Sequence, residues 1–312
     1  MALAVLAGII LFWTVYLLGK DRISAAAIAC PMAVMLSLLL ARLVYWYFRR
    51  DSYAGLSEAM ADFSKTGYAL IGAFAGCLLA AVILRCVGFA KNLPGMLDCM
   101  SIGGCAAIFI GRLSCFFNGE DRGDILADVE PLPWGSYVFN ATSGTMEYRF
   151  ATFLLQSTVA GCILLVLLVL LWSGRKKNRD GDITLVFLLL YCASQIVLDS
   201  TRYDALRLQS NGFISAVQVL CAITLVVTFG IFSANLWKKR GWKGYYIAIW
   251  LAVALGLLGA GYMEYYVQRH GDRAIFAYLV MSGCMIAVVV LGLLLRHLIH
   301  CENVEQFGEI DT

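Results

Sequence analysis

The sequence predicts an all-α, polytopic transmembrane protein of about nine helices with a small extracytoplasmic cap. Three observations carry that expectation. The chain of 312 residues is 61% hydrophobic and 14% charged, with a mean hydropathy of +0.78, whereas a soluble domain has about 25% charged residues. Its apolar residues fall in runs of about 20, the length a helix needs to cross a hydrocarbon core of roughly 30 Å. Its basic residues gather in alternate short loops, as the positive-inside rule requires of cytoplasmic connections.

Taken in order, the spans are expected near residues 1–19, 23–48, 67–89, 99–117, 151–173, 183–201, 213–236, 245–267 and 274–298. No basic residue precedes the first run, while Lys20 and Arg22 follow it. The first helix therefore reads as an uncleaved span inserted with its N-terminus outside. The loops after spans one, three, five and seven carry Lys20, Arg22, Lys91, Arg175, Lys176, Lys177, Arg179, Lys238, Lys239, Arg240 and Lys243, which marks them as cytoplasmic. The opposite loops mix signs: Asp51, Glu58, Asp62 and Lys65 in one, and Glu120 through Arg149 in another. Residues 118–150 then form an extracytoplasmic loop or cap, punctuated at Pro131, Pro133, Trp134-Gly135 and Ser143-Gly144, with Tyr137-Val138-Phe139 as a short strand. The last two spans follow the basic linker Lys238–Lys243 and read as an appended hairpin, 245–298, ending in a cytoplasmic tail, 299–312.

Several functional classes are excluded early. The net charge of +3 is small and its basic residues lie in separate loops, so nucleic acid is not an expected partner. Of the eleven cysteines, Cys30, Cys77, Cys86, Cys105, Cys162, Cys192, Cys221 and Cys284 fall inside apolar runs and read as core fillers. With no CxxC or Cys/His cluster, no metal or cofactor is expected. The four prolines, Pro31, Pro94, Pro131 and Pro133, do not give the paired broken helices of a secondary transporter.

Polar chemistry concentrates in Gly111-Arg112-Leu113-Ser114-Cys115-Phe116-Phe117-Asn118-Gly119-Glu120-Asp121-Arg122-Gly123. Arg112 sits at the membrane end of the fourth span, and ionisable groups at such depth are functional-site hypotheses by default. Arg42 lies near the outer end of the second span, and Gln195, Asp199 and Arg202 recur at i, i+4 and i+7 on the sixth, one helical face. These three spans run in the same direction, so their polar groups are expected at one outer-leaflet depth. Arginine suits that place because its planar fork binds phosphate bidentately. Asn118 supplies a carboxamide, Gly119 a backbone open to close approach, and Glu120 a carboxylate that either accepts a proton or pairs with an arginine. A simpler reading has Arg42, Arg112 and Arg202 snorkelling to the interface with Asp199 neutralising Arg202.

The Gly111–Gly123 stretch resembles the signature of the bacterial prolipoprotein diacylglyceryl transferases, Gly-Arg-Ile-Gly-Asn-Phe-Ile-Asn-Gly-Glu followed by two variable residues and Gly. Arg42-Leu43-Val44-Tyr45 resembles an Arg-Ile-Gly-Tyr segment of that family, Leu70-Ile71-Gly72 the end of its His-Gly-Gly-Leu-Ile-Gly motif, Arg149 to Gln156 its Arg-His-Pro-Ser-Gln-Leu-Tyr-Glu, and Asp199 with Arg202 its Glu-Phe-Phe-Arg. The resemblance covers residues 1–237, a seven-helix transferase-like membrane domain.

It implies transfer of a diacylglyceryl group from phosphatidylglycerol to the lipobox cysteine of a preprolipoprotein signal peptide, in the bacterial cytoplasmic (inner) membrane. Arg112, Asn118 and Glu120 would be catalytic, and Arg42, Gly119, Gly123, Arg149, Asp199 and Arg202 would bind substrate. The sequence departs from the family at Gly67, where a histidine is expected, at Cys115 for an asparagine, at Gln195 for an arginine, and at Leu155-Gln156 for Tyr-Glu. Two readings follow: a divergent transferase with its base elsewhere, His270 being the histidine on the outer side, or an altered paralogue that binds anionic phospholipid without catalysis. Cys115, a thiol beside the phosphate clamp, is either itself acylated or a small packing residue.

Overall fold

A computed structural model describes residues 2–18, 23–50, 53–61, 67–89, 92–126, 135–140, 144–174, 179–208, 212–270 and 273–308. The elements are α1 (Ala2–Leu18), α2 (Ile23–Phe48), α3 (Leu56–Ala61), α4 (Leu70–Cys86), α5 (Leu93–Leu113), α6 (Cys115–Asn118), β1 (Gly135–Asn140), β2 (Thr145–Phe150), α7 (Thr152–Gly174), α8 (Asp182–Ser200), α9 (Ala216–Arg240), α10 (Tyr245–His270) and α11 (Ala274–Gly308). Among the described residues, 7 stretches are long and apolar enough to cross a membrane, and they lie in α2, α5 with α6, and α7 to α11. Leu3–Leu17 and Leu70–Cys86 are apolar but shorter. The chain is thus a multi-pass, all-α membrane protein. Every expected span contains a helix, although α1 and α4 have 17 residues each, about 26 Å at roughly 1.5 Å per residue.

Several ends differ from the sequence expectation, and caps explain two of them. The fourth span begins at Leu93 because the Asn92 side chain accepts from Gly95 N at 3.2 Å and Pro94 occupies the first turn, a favoured helix start. Ser215 caps α9 in a box with Gln218, which starts that helix at Ala216. In α11 the helix runs on to Gly308, well into the expected tail. The loop charges Lys20, Arg22, Asp51, Asp62, Lys65, Lys91, Arg175, Lys176 and Lys177, and the turn residues Pro131, Pro133, Trp134 and Ser143, lie outside the described residues.

The chain packs as two bodies, Met1–Val169 with Asp180–Thr184, and Leu170–Arg179 with Leu185–Thr312. In the first, α4 lies directly on α2: a Cβ added at Gly72 would stand 2.2 Å from Leu40 O, and one at Gly76 2.5 Å from the Leu36 carbonyl carbon. Lipid gives helices no hydrophobic reason to associate, so small residues that let backbones touch do that work. Ser37 Oγ adds a bond to Ala73 O at 2.9 Å. Helix α5 meets α1 in the same way, each Cβ at Gly8 or Gly103 falling within 3.0 Å of the other's carbonyl oxygen. Near the N-terminal end of α5, buried Asp98 accepts from Gly181 N (2.8 Å), Thr184 N (2.7 Å) and Thr184 Oγ1 (2.8 Å). It therefore caps the start of α8.

The strand expected at Tyr137–Phe139 is real: β1 pairs antiparallel with β2, placing Tyr137 opposite Tyr148 and Val138 opposite Glu147. In the second body, Leu189 and Ile196 of α8, Leu225 and Phe229 of α9, Val253 and Ala260 of α10, and Met285 and Leu295 of α11 share one core. The hairpin α10–α11 thus packs as part of the same layer as α8 and α9. Lys239 Nζ ties α9 to α11 through Ile299 O at 2.8 Å. Large apolar side chains such as Met35, Leu165, Leu255 and Ile286 point outward, the surface a lipid solvent requires.

Candidate active site

Helix α5 carries Arg112 in its last turn, where the helix dipole favours a cation. The chain then turns at Ser114, makes the single turn α6, and leaves it through Gly119 in the left-handed region at φ 70°. Here glycine is required twice over, because an added Cβ would also stand 2.8 Å from Val138 Cγ2 of the hairpin. Among the described residues, Asp121 is the one non-glycine residue with positive φ, at 54°. That conformation costs of order 1–3 kcal/mol outside glycine, and Asp and Asn tolerate it best.

The effect of the turn is to return the Asp121 carboxylate to the helix end. Asp121 Oδ2 pairs with Arg112 Nη1, and the pair is largely buried. Cys115 Sγ donates to the same oxygen at 3.3 Å, so the thiol that stands where the family signature has asparagine is hydrogen-bonded to a carboxylate held by the signature arginine. Glu120 is half-buried beside them. The side chain of Asn118 lies outside the described residues, as does that of His270.

Beyond Asp121 the loop is sewn to its surroundings by backbone. Gly123 N donates to Phe150 O at 2.8 Å, Phe150 N to Asp124 O at 3.0 Å and Leu126 N to Tyr148 O at 2.8 Å. This segment therefore lies alongside β2, joined to it by a single antiparallel bridge between Ile125 and Arg149. Phe153 N donates to Asp121 O at 3.0 Å, tying the turn to the start of α7. Arg149, on β2, grips Glu147 Oε2 with Nε at 2.8 Å and Nη2 at 2.7 Å and donates Nη1 to Gly123 O at 3.3 Å. The structure thus brings together Arg112, Gly119, Glu120, Gly123 and Arg149 in one loop-and-hairpin assembly.

Arg42 is engaged otherwise. It is 3% exposed, donates Nε to Ala59 O at 2.7 Å and Nη1 to Gly67 O at 2.8 Å, and lies over the rings of Tyr53 and Tyr68 at 5.5 and 5.3 Å. These contacts fasten α3 and the approach to α4 onto α2. Gly67, where a histidine was expected, has φ 133°, and an added Cβ would fall 2.3 Å from the Tyr45 ring.

In the second body, α8 ends at Ser200, so only Gln195 and Asp199 share its helical face; Arg202 lies in the turn beyond, a correction to the i, i+7 expectation. Arg202 Nη1 nonetheless meets Asp199 Oδ1 at 3.3 Å and its Nε meets Asp204 Oδ1 at 3.1 Å.

Sequence reasoning passed over Asp121 and Arg122, which occupy the variable positions of the signature. Arg122 is buried with its guanidinium 4.4 Å from the Phe153 ring centre, and burial lowers its basicity. Its Nη2 donates to Cys115 O and Phe116 O at 3.4 and 3.3 Å, whereas Nε and Nη1 have no hydrogen-bond partner among the described residues. Gln156, which replaces the family glutamate, is also buried with both amide atoms unpartnered among the described residues.

The family model of the prolipoprotein diacylglyceryl transferases matches residues 1–234. The chain belongs to this family. Similar proteins include a phosphatidylglycerol–prolipoprotein diacylglyceryl transferase of Streptococcus pyogenes serotype M3, 26% identical over 257 residues that cover 78% of this chain and 91% of that relative. Another of the same name, from Clostridioides difficile, is 29% identical over 209 residues, 66% of this chain and 75% of its own. The family match spans both Arg112 and Arg202 and stops within α9, so α10 and α11 lie beyond it.

Proposed function

We propose that this chain moves the diacylglyceryl group of phosphatidylglycerol onto the lipobox cysteine of a preprolipoprotein signal peptide, in a bacterial cytoplasmic membrane, with its N-terminus outside and its C-terminus cytoplasmic. The observation that carries the reading is the family match running through a loop that keeps Arg112 at the end of a span with Asp121 bracing it. In this reading the acceptor S–H loses its proton to Glu120, sulfur bonds to the glycerol carbon, the C–O bond to phosphate breaks, and glycerol phosphate leaves with the electron pair. Arg112 binds the phosphate and stabilises the charge that gathers there. Asn118, Gly119 and Gly123 shape the loop around it, with Arg149 holding Gly123, while Asp199 and Arg202 support substrate binding and Arg42 acts by fastening α3 and the approach to α4 onto α2.

The test is complementation of a bacterium depleted of its own transferase, following lipoprotein maturation by gel shift. Maturation is expected with the wild-type chain, and Arg112→Ala is expected to lower it by about 100-fold, the scale of one lost charge-stabilising donor. Full maturation with Arg112→Ala removes the phosphate-clamp role.

One observation favours a second reading, a non-catalytic phospholipid-binding paralogue. The family histidine is missing, and its position is a glycine at φ 133° whose side-chain space the Tyr45 ring occupies. Under that reading phosphatidylglycerol co-purifies with the chain but is never turned over in the presence of a lipobox peptide.

A further inference from the structure

Glu264 lies on α10, outside the family match, in a span with few other ionisable groups. It is 4% exposed, and a carboxylate at such depth is costly unless its oxygens are satisfied. Both are: Oε2 accepts from Gln218 Nε2 at 2.9 Å and Oε1 from Gln268 Nε2 at 3.3 Å.

The Gln218 contact leads on to Arg202. The second Nε2 hydrogen of Gln218 goes to Ile196 O at 3.1 Å, and its Oε1 accepts from Ser215 N at 2.9 Å. The amide is therefore saturated in one orientation only, with its NH2 toward Glu264 and its oxygen toward Ser215. Ser215 Oγ accepts from Gln218 N at 3.1 Å and donates to Asp199 Oδ2, while Asp199 Oδ1 receives Arg202 Nη1. An unbroken series of hydrogen bonds thus runs from the appended hairpin to the arginine that resembles the family's, and Asp199, Arg202, Ser215, Gln218, Glu264 and Gln268 line a common pocket.

We propose that Glu264 is a positioning residue of the transferase, by which the hairpin absent from the family match sets the placement of Arg202 through Gln218, Ser215 and Asp199. The inference rests on the transferase reading above. Without Glu264, one Nε2 hydrogen of Gln218 loses its acceptor, leaving the amide held only by Ile196 O and Ser215 N. The amide's hold on Ser215 N loosens with it, the Ser215 backbone that carries the hydroxyl bonded to Asp199 is less firmly placed, and Asp199 and Arg202 rearrange. Such a network is worth more than its separate bonds, and double-mutant cycles measure it.

The experiment uses the full chain in phosphatidylglycerol vesicles with a lipobox peptide, measuring KM for the lipid and kcat for wild type, Glu264→Ala, Glu264→Gln, Arg202→Ala and the Glu264→Ala/Arg202→Ala double variant. Glu264→Ala is expected to raise KM about tenfold, within the range of coupled neighbours. Glu264→Gln is expected to stay within about threefold of wild type, because its oxygen still accepts from Gln218. In the Arg202→Ala background, Glu264→Ala is expected to add less than about twofold. Where Glu264→Ala does not accumulate in membranes, Gln218→Leu cuts the same series from α9 and is judged by the same outcomes.

Transfer by the wild type combined with an equal Glu264→Ala effect in both backgrounds, or no effect in either, or a Gln variant as poor as the Ala one, overturns this inference alone. A wild-type chain that transfers nothing overturns the functional reading and this inference with it.

Discussion

Two glycines show what single residues decide here. Gly119 sits at φ 70° against Val138, so Gly119→Ala is expected to destabilise the protein by about 1–3 kcal/mol through the strained backbone alone. Thermal unfolding in detergent measures it, and an unchanged midpoint would show that the turn relaxes freely. Gly67 carries a different lesson. Restoring the family histidine by Gly67→His is expected to reduce folded protein in the membrane rather than to raise activity, since the Tyr45 ring already occupies the space; normal accumulation with higher transfer would refute this. Arg112 was legible in the sequence because a charge inside an apolar run stands out. Asp121 was not, because its role depends on a positive-φ turn that folds it back on the helix it has just left. Arg122 was hidden for a related reason: its neighbour Phe153 is close only once the loop lies against α7. Glu264 did carry a signal, an acid in an apolar run, but its meaning lies in partners on α9 that no spacing rule connects to it.

Helices behaved in the sequence as apolar lengths, and that is why their existence was readable while their ends were not. Ends are set by caps, and caps depend on local bonds such as Asn92 to Gly95 and Ser215 to Gln218. Asp98 is the clearest case, an acid from α5 that caps α8 across a sequence gap no window bridges. Its three accepted bonds predict that Asp98→Ala costs about 1–3 kcal/mol, the penalty for leaving buried donors unsatisfied. Hydrogen exchange at Gly181 and Thr184 is the direct readout, and unchanged protection there would mean that water replaces the carboxylate without loss. The α2–α4 contact is tighter still. A leucine at Gly72 has no rotamer that avoids the Leu40 carbonyl, so Gly72→Leu is expected to abolish accumulation of the protein in membranes.

For the molecule as a whole, the sequence marked the hairpin as appended, whereas its side chains fill the same core as α8 and α9. No motif marks this packing, because the residues that join them are ordinary Leu, Val and Phe. Truncation after Arg240 is therefore expected to lower the amount of folded protein severalfold, each lost large apolar contact costing about 1.5–3 kcal/mol in an aqueous setting and less where lipid takes its place. A truncated chain that accumulates fully would make the hairpin dispensable to folding.

The pinning of α5 at both ends has a geometric consequence. Asp98 near one end is fixed to the start of α8 and Arg112 at the other to the signature turn, about 21 Å apart along the axis at roughly 1.5 Å per residue. The helix therefore acts as a ruler, and the depth of the arginine is measured from the opposite face of the bilayer. In a membrane a few ångströms thicker, the phosphate plane rises away from that fixed height, and mismatch is not relieved by sliding a helix anchored twice. Transfer should accordingly pass through a maximum as the acyl chains of the surrounding lipid are lengthened, and a rate indifferent to bilayer thickness would show that the ruler slips.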